Sequence, residues 1–153
     1  MIRKMEEEDI FLITEAETEL LGSTLGYEMI HNEIKHHDFA HYFVIEENGI
    51  KGYVGLWIND DIGQIANFLI LKPYQNLGYG KQLMKHIMGY FKEHNVSVIS
   101  LEVKESNEKA IKLYESFGFV KSYKRVKYYD NKEDAHVMIW RGEDEDISSG
   151  KQL

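Results

Sequence analysis

The stretch Gln75-Asn76-Leu77-Gly78-Tyr79-Gly80-Lys81 sets two glycines one residue apart, between an apolar run ending at Leu71 and an amphipathic run starting at Lys81. Glycines let the backbone turn so that several N–H groups face one point. The start of a helix adds N–H groups without intrahelical partners and the positive end of the helix dipole. Together these suit a pyrophosphate. A plain tight turn between strand and helix has the same look, because Gly-x-Gly alone is a weak signal. Two familiar phosphate motifs fail here. A Rossmann fingerprint needs a third small residue where Leu83 stands, and a P-loop ends in Gly-Lys-Ser/Thr where this chain has Gly80-Lys81-Gln82. The remaining pattern is Gln/Arg-x-x-Gly-x-Gly/Ala after a strand.

The surrounding charge points the same way. From Ile62 to Lys92 there is no Asp or Glu, where an even spread of the acids would place about five. The same stretch carries Lys72, Lys81, Lys85 and Lys92, in a chain of net charge -8. A basic island in an acidic protein suits an anionic ligand; a buried strand followed by a core helix would also exclude acids. The overall charge argues against binding nucleic-acid backbone. The chain has no Cys, which excludes disulfides, thiolate metal sites and a cysteine nucleophile. The seven histidines show no metal spacing with carboxylates, so no metal is expected. No apolar run has the length of a membrane span, and the start, Met1 to Glu8, turns acidic at once without a signal-peptide core. The expectation is a soluble cytoplasmic protein with no membrane partner.

The elements that must hold the loop follow from periodicity and turn chemistry. The length of 153 residues and 43% hydrophobic content fit one domain with a normal core. Ile2 to Met5 reads as a strand. Asp9 is placed to cap a helix from Ile10 to about Leu21, and a second helix is expected from Tyr27 to Lys35 after the break Gly22 to Gly26. Tyr42 to Glu46 and Lys51 to Ile58 read as strands joined at Glu47-Asn48-Gly49. Asn59-Asp60-Asp61 turns into a strand from Gln64 to Leu71. Leu83, Met84, Ile87, Met88 and Phe91 give helical spacing over Lys81 to Glu93. Val96 to Val103 reads as a strand. Asn107 to Phe117 reads as a helix, capped by Ser106 or Asn107 and closed by Gly118. Val120 to Tyr129 and Ala135 to Trp140 complete a mixed α/β layer. One domain over 1–141 is expected, with the polar stretch 142–153 as a flexible tail.

In this setting the glycine pattern resembles the acetyl-CoA signature of the GNAT acetyltransferases. Behind it, in the family's order, come Leu101-Glu102-Val103, Ser106-Asn107, Ala110 to Glu115 and Phe117-Gly118-Phe119. The closing segment Arg125 to Tyr129, then Glu133-Asp134-Ala135 and Met138, is similar to the Nα-acetyltransferase branch, in particular the ribosomal-protein-alanine acetyltransferases of the RimI type. The resemblance implies the GNAT fold, a mostly antiparallel sheet of about seven strands with a splayed parallel pair and about four helices. It implies acetyl-CoA as cosubstrate, its pyrophosphate on backbone amides of Asn76, Leu77, Gly78, Tyr79, Gly80 and Lys81. Phe68, Leu69 and Ile70 would offer backbone groups to the acyl-pantetheine arm, and Asn107 would contact the cofactor. Glu102 becomes the general base and Tyr114 the acid that protonates the leaving thiolate. Tyr128 and Tyr129 would line the acceptor slot, with Glu133-Asp134 turning the hairpin and attracting a basic peptide.

Direct transfer from a thioester to an amine needs the carbonyl oxygen stabilised, the amine deprotonated and the thiolate protonated, and no covalent nucleophile. An α-amine has a pKa near 8 and a lysine amine one near 10.4, so the neutral fraction at pH 7 is about a hundredfold larger for a protein N-terminus. A single carboxylate base therefore favours that acceptor. Partners implied are a protein N-terminus, a ribosomal protein among the candidates, or a small amine, with the enzyme a monomer or dimer. A lysine, a polyamine or another small amine as acceptor, or a non-catalytic acyl-CoA-binding module, are the competing readings. The segment Leu21 to Tyr27 lacks the Pro-Trp-Ser/Thr stretch usual in the RimI type, which bears on the acceptor and not on the cofactor.

Overall fold

The computed structural model describes residues 1–21, 26–126 and 133–142, with the backbone alone for 16–21. Seven strands form one sheet: β1 (Ile2–Lys4), β2 (Ala40–Glu46), β3 (Ile50–Asn59), β4 (Ile62–Ile70), β5 (Val98–Lys104), β6 (Val120–Arg125) and β7 (Ala135–Arg141). Their spatial order is β1-β2-β3-β4-β5-β7-β6. Only β4 and β5 run parallel; the other neighbours are antiparallel. Four α-helices accompany them: α1 (Glu7–Leu21), α2 (Tyr27–His36), α3 (Tyr79–Glu93) and α4 (Glu108–Ser116), with a 3-10 turn at Lys72–Tyr74. This is the mixed layer that the element order predicts. The turn between β2 and β3 works because Asn48 and Gly49 take positive φ, 57° and 105°, which matches the twist of the hairpin.

Alternate residues of a strand face opposite sides, and two cores result. Phe43 and Ile45 of β2 join Leu83, Met84, Ile87 and Phe91 of α3 and Ile111 of α4 on one face. Tyr42 and Val44 join Ile10 and Ile13 of α1 and Ile30 of α2 on the other. Gly63 is required on the first face, because a Cβ there would lie 2.6 Å from the Phe91 ring.

Several boundaries differ from the sequence reading: β2 begins at Ala40, β4 spans Ile62–Ile70 and α3 begins at Tyr79, and two further shifts have a clear local cause. Asp9 does not precede its helix; α1 begins at Glu7 and Asp9 sits in its first turn. Its carboxylate accepts the Glu6 N–H at 2.8 Å and both Arg3 Nη groups at 2.9 and 3.1 Å. Three consecutive acids, Glu7 to Asp9, favour the positive end of the helix dipole, so the helix extends back over them. Strand β5 begins at Val98, not Val96, because Asn95 takes a positive φ of 60° and the Ser97 N–H bonds the Asp61 carbonyl at 2.7 Å. The expected strand to Tyr129 is seen as far as Arg125, and residues 127–132 lie outside the described residues, as do 22–25 and all of the predicted tail 142–153 except Gly142.

What matters for function is where the parallel pair ends. β4 and β5 pair from Ile62 with Val98 to Ile65 with Leu101 and no further, although β4 continues to Ile70 and β5 to Lys104. Across β3, Gly55 faces Asn67 and Leu56 faces Ile65, so Ala66 is an extra residue on β4. Such a bulge bends its strand and raises the local twist. The two strands part at this point, as the expected splay requires.

Candidate active site

Past the end of β4 the chain turns through Lys72–Tyr74 into the glycine loop. Asn76 (φ 66°) and Gly78 (φ 91°, ψ 0°) are left-handed, a backbone alternation that turns successive N–H groups inward. Gly78 is the N-cap of α3 and gives it no side-chain acceptor, so the first-turn N–H groups have no cap of that kind. Three side-chain bonds fix the loop. Gln75 Nε2 donates to the Ile70 carbonyl at 3.0 Å, Lys109 Nζ donates to Asn76 Oδ1 at 2.6 Å, and the Tyr79 hydroxyl donates to Glu47 at 2.7 Å. That last bond holds the Tyr79 phenol above its ordinary pKa, so it stays uncharged.

The loop forms one wall of a cleft of about 460 Å³. Phe68, Leu69 and Ile70 of β4 line it, with Asn76, Gly78, Gly80 and Lys81 from the loop and helix and Asn107 from the start of α4. Each of these is a predicted cofactor residue. Leu77 and Tyr79 are not among the lining groups; the Leu77 side chain is 63% exposed and Tyr79 turns to Glu47. A Cβ built on Gly80 would meet Leu113 at 3.5 Å and Ile70 and Phe68 at 3.8 Å, all lining residues. The absent side chain of Gly80 is therefore part of the cleft, and the cradle fits a ligand that approaches backbone closely. Among the described residues the lining includes Lys81 and Lys109 and no acid, which suits a phosphate-bearing group.

The basic island proves to have two causes. Of its lysines only Lys81 reaches the cleft, and the second ammonium there, Lys109, comes from α4 outside the island. The rest of the acid-free stretch reflects the buried face of α3. Asn107 combines both readings open to it: its Oδ1 accepts the Ala110 N–H at 3.2 Å as the α4 cap, and it lines the cleft.

Tyr114 also lines the cleft and is 6% exposed. Its ring meets Phe68 edge-on at 5.9 Å and Phe119 at 6.1 Å. Glu102 does not line the cleft. It is the first β5 residue past the last β4–β5 pair, and it faces away from Leu101 and Val103, which belong to the α3–α4 core. Its carboxylate is bonded by Arg125 of β6 and its side chain is 23% exposed. Tyr114 and Glu102 thus sit at the same gap on opposite faces of the sheet. Glu133 spends its carboxylate on the Ser106 N–H at 2.7 Å, and the Asp134 carbonyl accepts the Glu105 N–H at 3.0 Å. Both residues thus brace the turn after β5. Tyr128 and Tyr129 lie outside the described residues. Among the described residues no group of His, Asp and Glu suits a metal ion, and no helix is long and apolar enough to cross a membrane.

Five residues were given no site role by sequence reasoning: Tyr74, Lys109, Ala110 and Leu113 in the cleft and Arg125 on Glu102. Leu113 sits beside Tyr114 and one turn past Ala110 and Lys109, so a helical projection of α4 would have grouped them. No local signal marks Arg125.

The comparisons agree with this geometry. The model of the acetyltransferase (GNAT) family matches residues 5–119. The chain is 37% identical to a candidate ribosomal protein bS18-alanine N-acetyltransferase of Bacillus subtilis, over 90% of this chain and 92% of that one. It is 37% identical to the ribosomal protein bS18-alanine N-acetyltransferase of Escherichia coli over a shorter stretch, 51% of this chain and 55% of that one. The crystal structure of the Escherichia coli ribosomal-protein-alanine N-acetyltransferase superposes with a TM-score of 0.83 at 25% identity, covering 92% of each chain. The glycine cradle, the splayed strands and the family match together make this chain a member of the acetyltransferase (GNAT) family, an N-acetyltransferase whose cosubstrate is acetyl-CoA.

Proposed function

We propose that the enzyme acetylates the N-terminal α-amine of a protein, in the manner of the ribosomal-protein-alanine acetyltransferases, and that it does so in the cytoplasm. The observation that carries this reading is one carboxylate, Glu102, and one phenol, Tyr114, on opposite faces of the gap where β4 and β5 part. The identity to the Bacillus subtilis relative over nearly the whole chain supports the acceptor class.

Acetyl-CoA supplies the activated acetyl thioester. Backbone N–H groups of residues 76–81 hold the pyrophosphate, with Lys81 and Lys109 adding positive charge. Residues 68–70 of β4 lie beyond the parallel pairing, so their backbone groups on the β5 side have no strand partner. They hold the pantetheine arm, and an N–H there faces the thioester oxygen. Glu102 accepts the proton of the attacking amine, directly or through a water, and Arg125 orients its carboxylate. The Tyr114 hydroxyl gives its proton to the departing sulfur. Tyr128 and Tyr129 line the acceptor slot in this reading. One carboxylate suffices because about a tenth of an α-amine is already neutral at pH 7.

The test is acetyl-CoA turnover on a panel of short peptides with free N-termini against free lysine and polyamines. Turnover on the peptides with N-terminal alanine is expected to exceed the rest. Acetylation confined to lysine or polyamines overturns the acceptor, and binding of CoA without turnover on any amine overturns the enzyme. Glu102→Gln and Tyr114→Phe are each expected to lower kcat about a hundredfold, and full turnover in either removes that residue from the mechanism.

A further inference from the structure

Asn67 carries a polar atom that nothing in the fold uses. Its Nδ2 is enclosed and has no hydrogen-bond partner, and among the described residues it is the one buried side-chain N or O of which this is true. Native structures satisfy nearly all such groups, because each failure leaves a desolvated donor uncompensated. An uncompensated donor is therefore a reason to look for a ligand.

Its surroundings say which face it serves. Asn67 lies directly across from Gly55 of β3, so the two share a face. A Cβ on Gly55 would be 2.6 Å from the Tyr42 ring, which puts Tyr42 on that face too. The Tyr42 hydroxyl and the Trp57 indole both donate to Glu33 Oε1, at 2.9 and 3.1 Å. Those donors are committed, and the Asn67 amide is not. Phe68, the next residue, packs with the α3–α4 core, so Asn67 faces the other way. Glu102, next after Leu101 of that core, also faces the other way. Glu102 is one residue beyond the last parallel pair on β5, and Asn67 is two beyond it on β4, one of those two being the bulge residue Ala66. The carboxylate and the amide thus flank the same opening on the same face of the sheet.

We infer that Asn67 is a specificity-determining residue that donates through Nδ2 to the first backbone carbonyl of the acceptor peptide, on the side of the gap opposite Glu102. The inference rests on the α-amine reading above. In a peptide N-terminus the first carbonyl carbon is two bonds from the attacking nitrogen. A lysine side chain or a polyamine has a methylene there and nothing to accept a hydrogen bond. A base on one side that takes the amine proton and a donor on the other that holds the carbonyl fix the α-amine between them. Rotation about the last side-chain bond exchanges the similar-sized oxygen and NH2 ends, so the amide can turn its donor to the opening without repacking.

The experiment compares wild type with Asn67→Ala on two acceptors: a short peptide with N-terminal alanine, and the same peptide with its first carbonyl reduced to methylene. The reduced amine is more basic and reacts more slowly in both enzymes, so the ratio of wild type to variant is read within each acceptor. Asn67→Ala is expected to lower kcat/KM on the native peptide about tenfold and to leave the reduced peptide unchanged within about twofold. Asn67→Asp, which keeps the shape and loses the donor, should match the alanine variant or fall below it. Two further readouts separate this from a structural role. CoA affinity by calorimetry should be unchanged, and the melting temperature of Asn67→Ala should hold or rise, because an unsatisfied donor is removed. An equal loss on both acceptors, no loss on either, or a fall in melting temperature overturns the inference. If wild type acetylates no peptide N-terminus, the α-amine reading fails and the inference fails with it.

Discussion

Replacing Gly80 with alanine separates cofactor binding from folding, because the two should move in opposite directions. Gly80 is the second residue of α3, and an added Cβ would meet Leu113, Ile70 and Phe68 at 3.5 to 3.8 Å, ordinary contact distances that strain nothing. Alanine is the better helix former by up to about 1 kcal/mol in a helix interior, and about half that is a fair figure for a first turn. The ligand-free protein should therefore melt about 1–2 °C higher. The same methyl group enters the cleft where the proposed pyrophosphate site lies. Holding a phosphate oxygen away from one charge-assisted N–H bond costs about 1.5–3 kcal/mol, so CoA affinity should fall about 10- to 100-fold. Thermal unfolding without ligand and calorimetric titration with CoA give the two numbers. Wild-type affinity for CoA in Gly80→Ala would refute the placement of the pyrophosphate. A lower melting temperature would refute the claim that a methyl group fits at Gly80 without strain.

Three further substitutions test the framework. Asn107→Ala removes the α4 cap, which should cost about 1 kcal/mol in denaturant unfolding and raise the KM for acetyl-CoA, since the residue also lines the cleft. Burial works against the charged form of Asp9, but the Arg3 guanidinium and the Glu6 N–H outweigh it and hold its carboxyl below its ordinary value. A depressed carboxyl contributes stability that is complete above the unfolded pKa, about 4, and is lost as pH falls through the folded value. The stability gap between wild type and Asp9→Asn in urea should therefore be constant from about pH 5 to about pH 7 and shrink below about pH 4. Glu33→Ala takes away the acceptor shared by Tyr42 and Trp57, at a cost of about 2–4 kcal/mol in the same assay, while Glu33→Gln keeps an oxygen there and should lose less.

The cofactor half of the site is legible in the sequence because its signals are local. Gly78 and Gly80 sit within one turn of a helix start, Asn107 begins the next helix, and each can be judged from a window of ten residues. The proposed acceptor half is not. Arg125 reaches Glu102 only because β7 inserts between β5 and β6, so two residues far apart in sequence meet across a strand that comes later than both. Asn67 owes its position to the bulge at Ala66, and nothing in Ile65-Ala66-Asn67-Phe68 announces one. Lys109 reads as one more surface lysine until α4 folds against the glycine loop and sets its ammonium on Asn76. The acid-free stretch has a different lesson: it contains the loop that lines the cleft, but most of its length reflects the buried side of α3. A charge pattern of that kind locates an element more securely than a contact.

The most direct measurement uses one peptide that carries a free N-terminal alanine and one internal lysine. After incubation with enzyme and acetyl-CoA, fragmentation mass spectrometry locates the acetyl group. The account predicts acetylation of the first residue alone, slowed by Glu102→Gln at an unchanged position. An acetyl group on the lysine, with the N-terminus free, would contradict it.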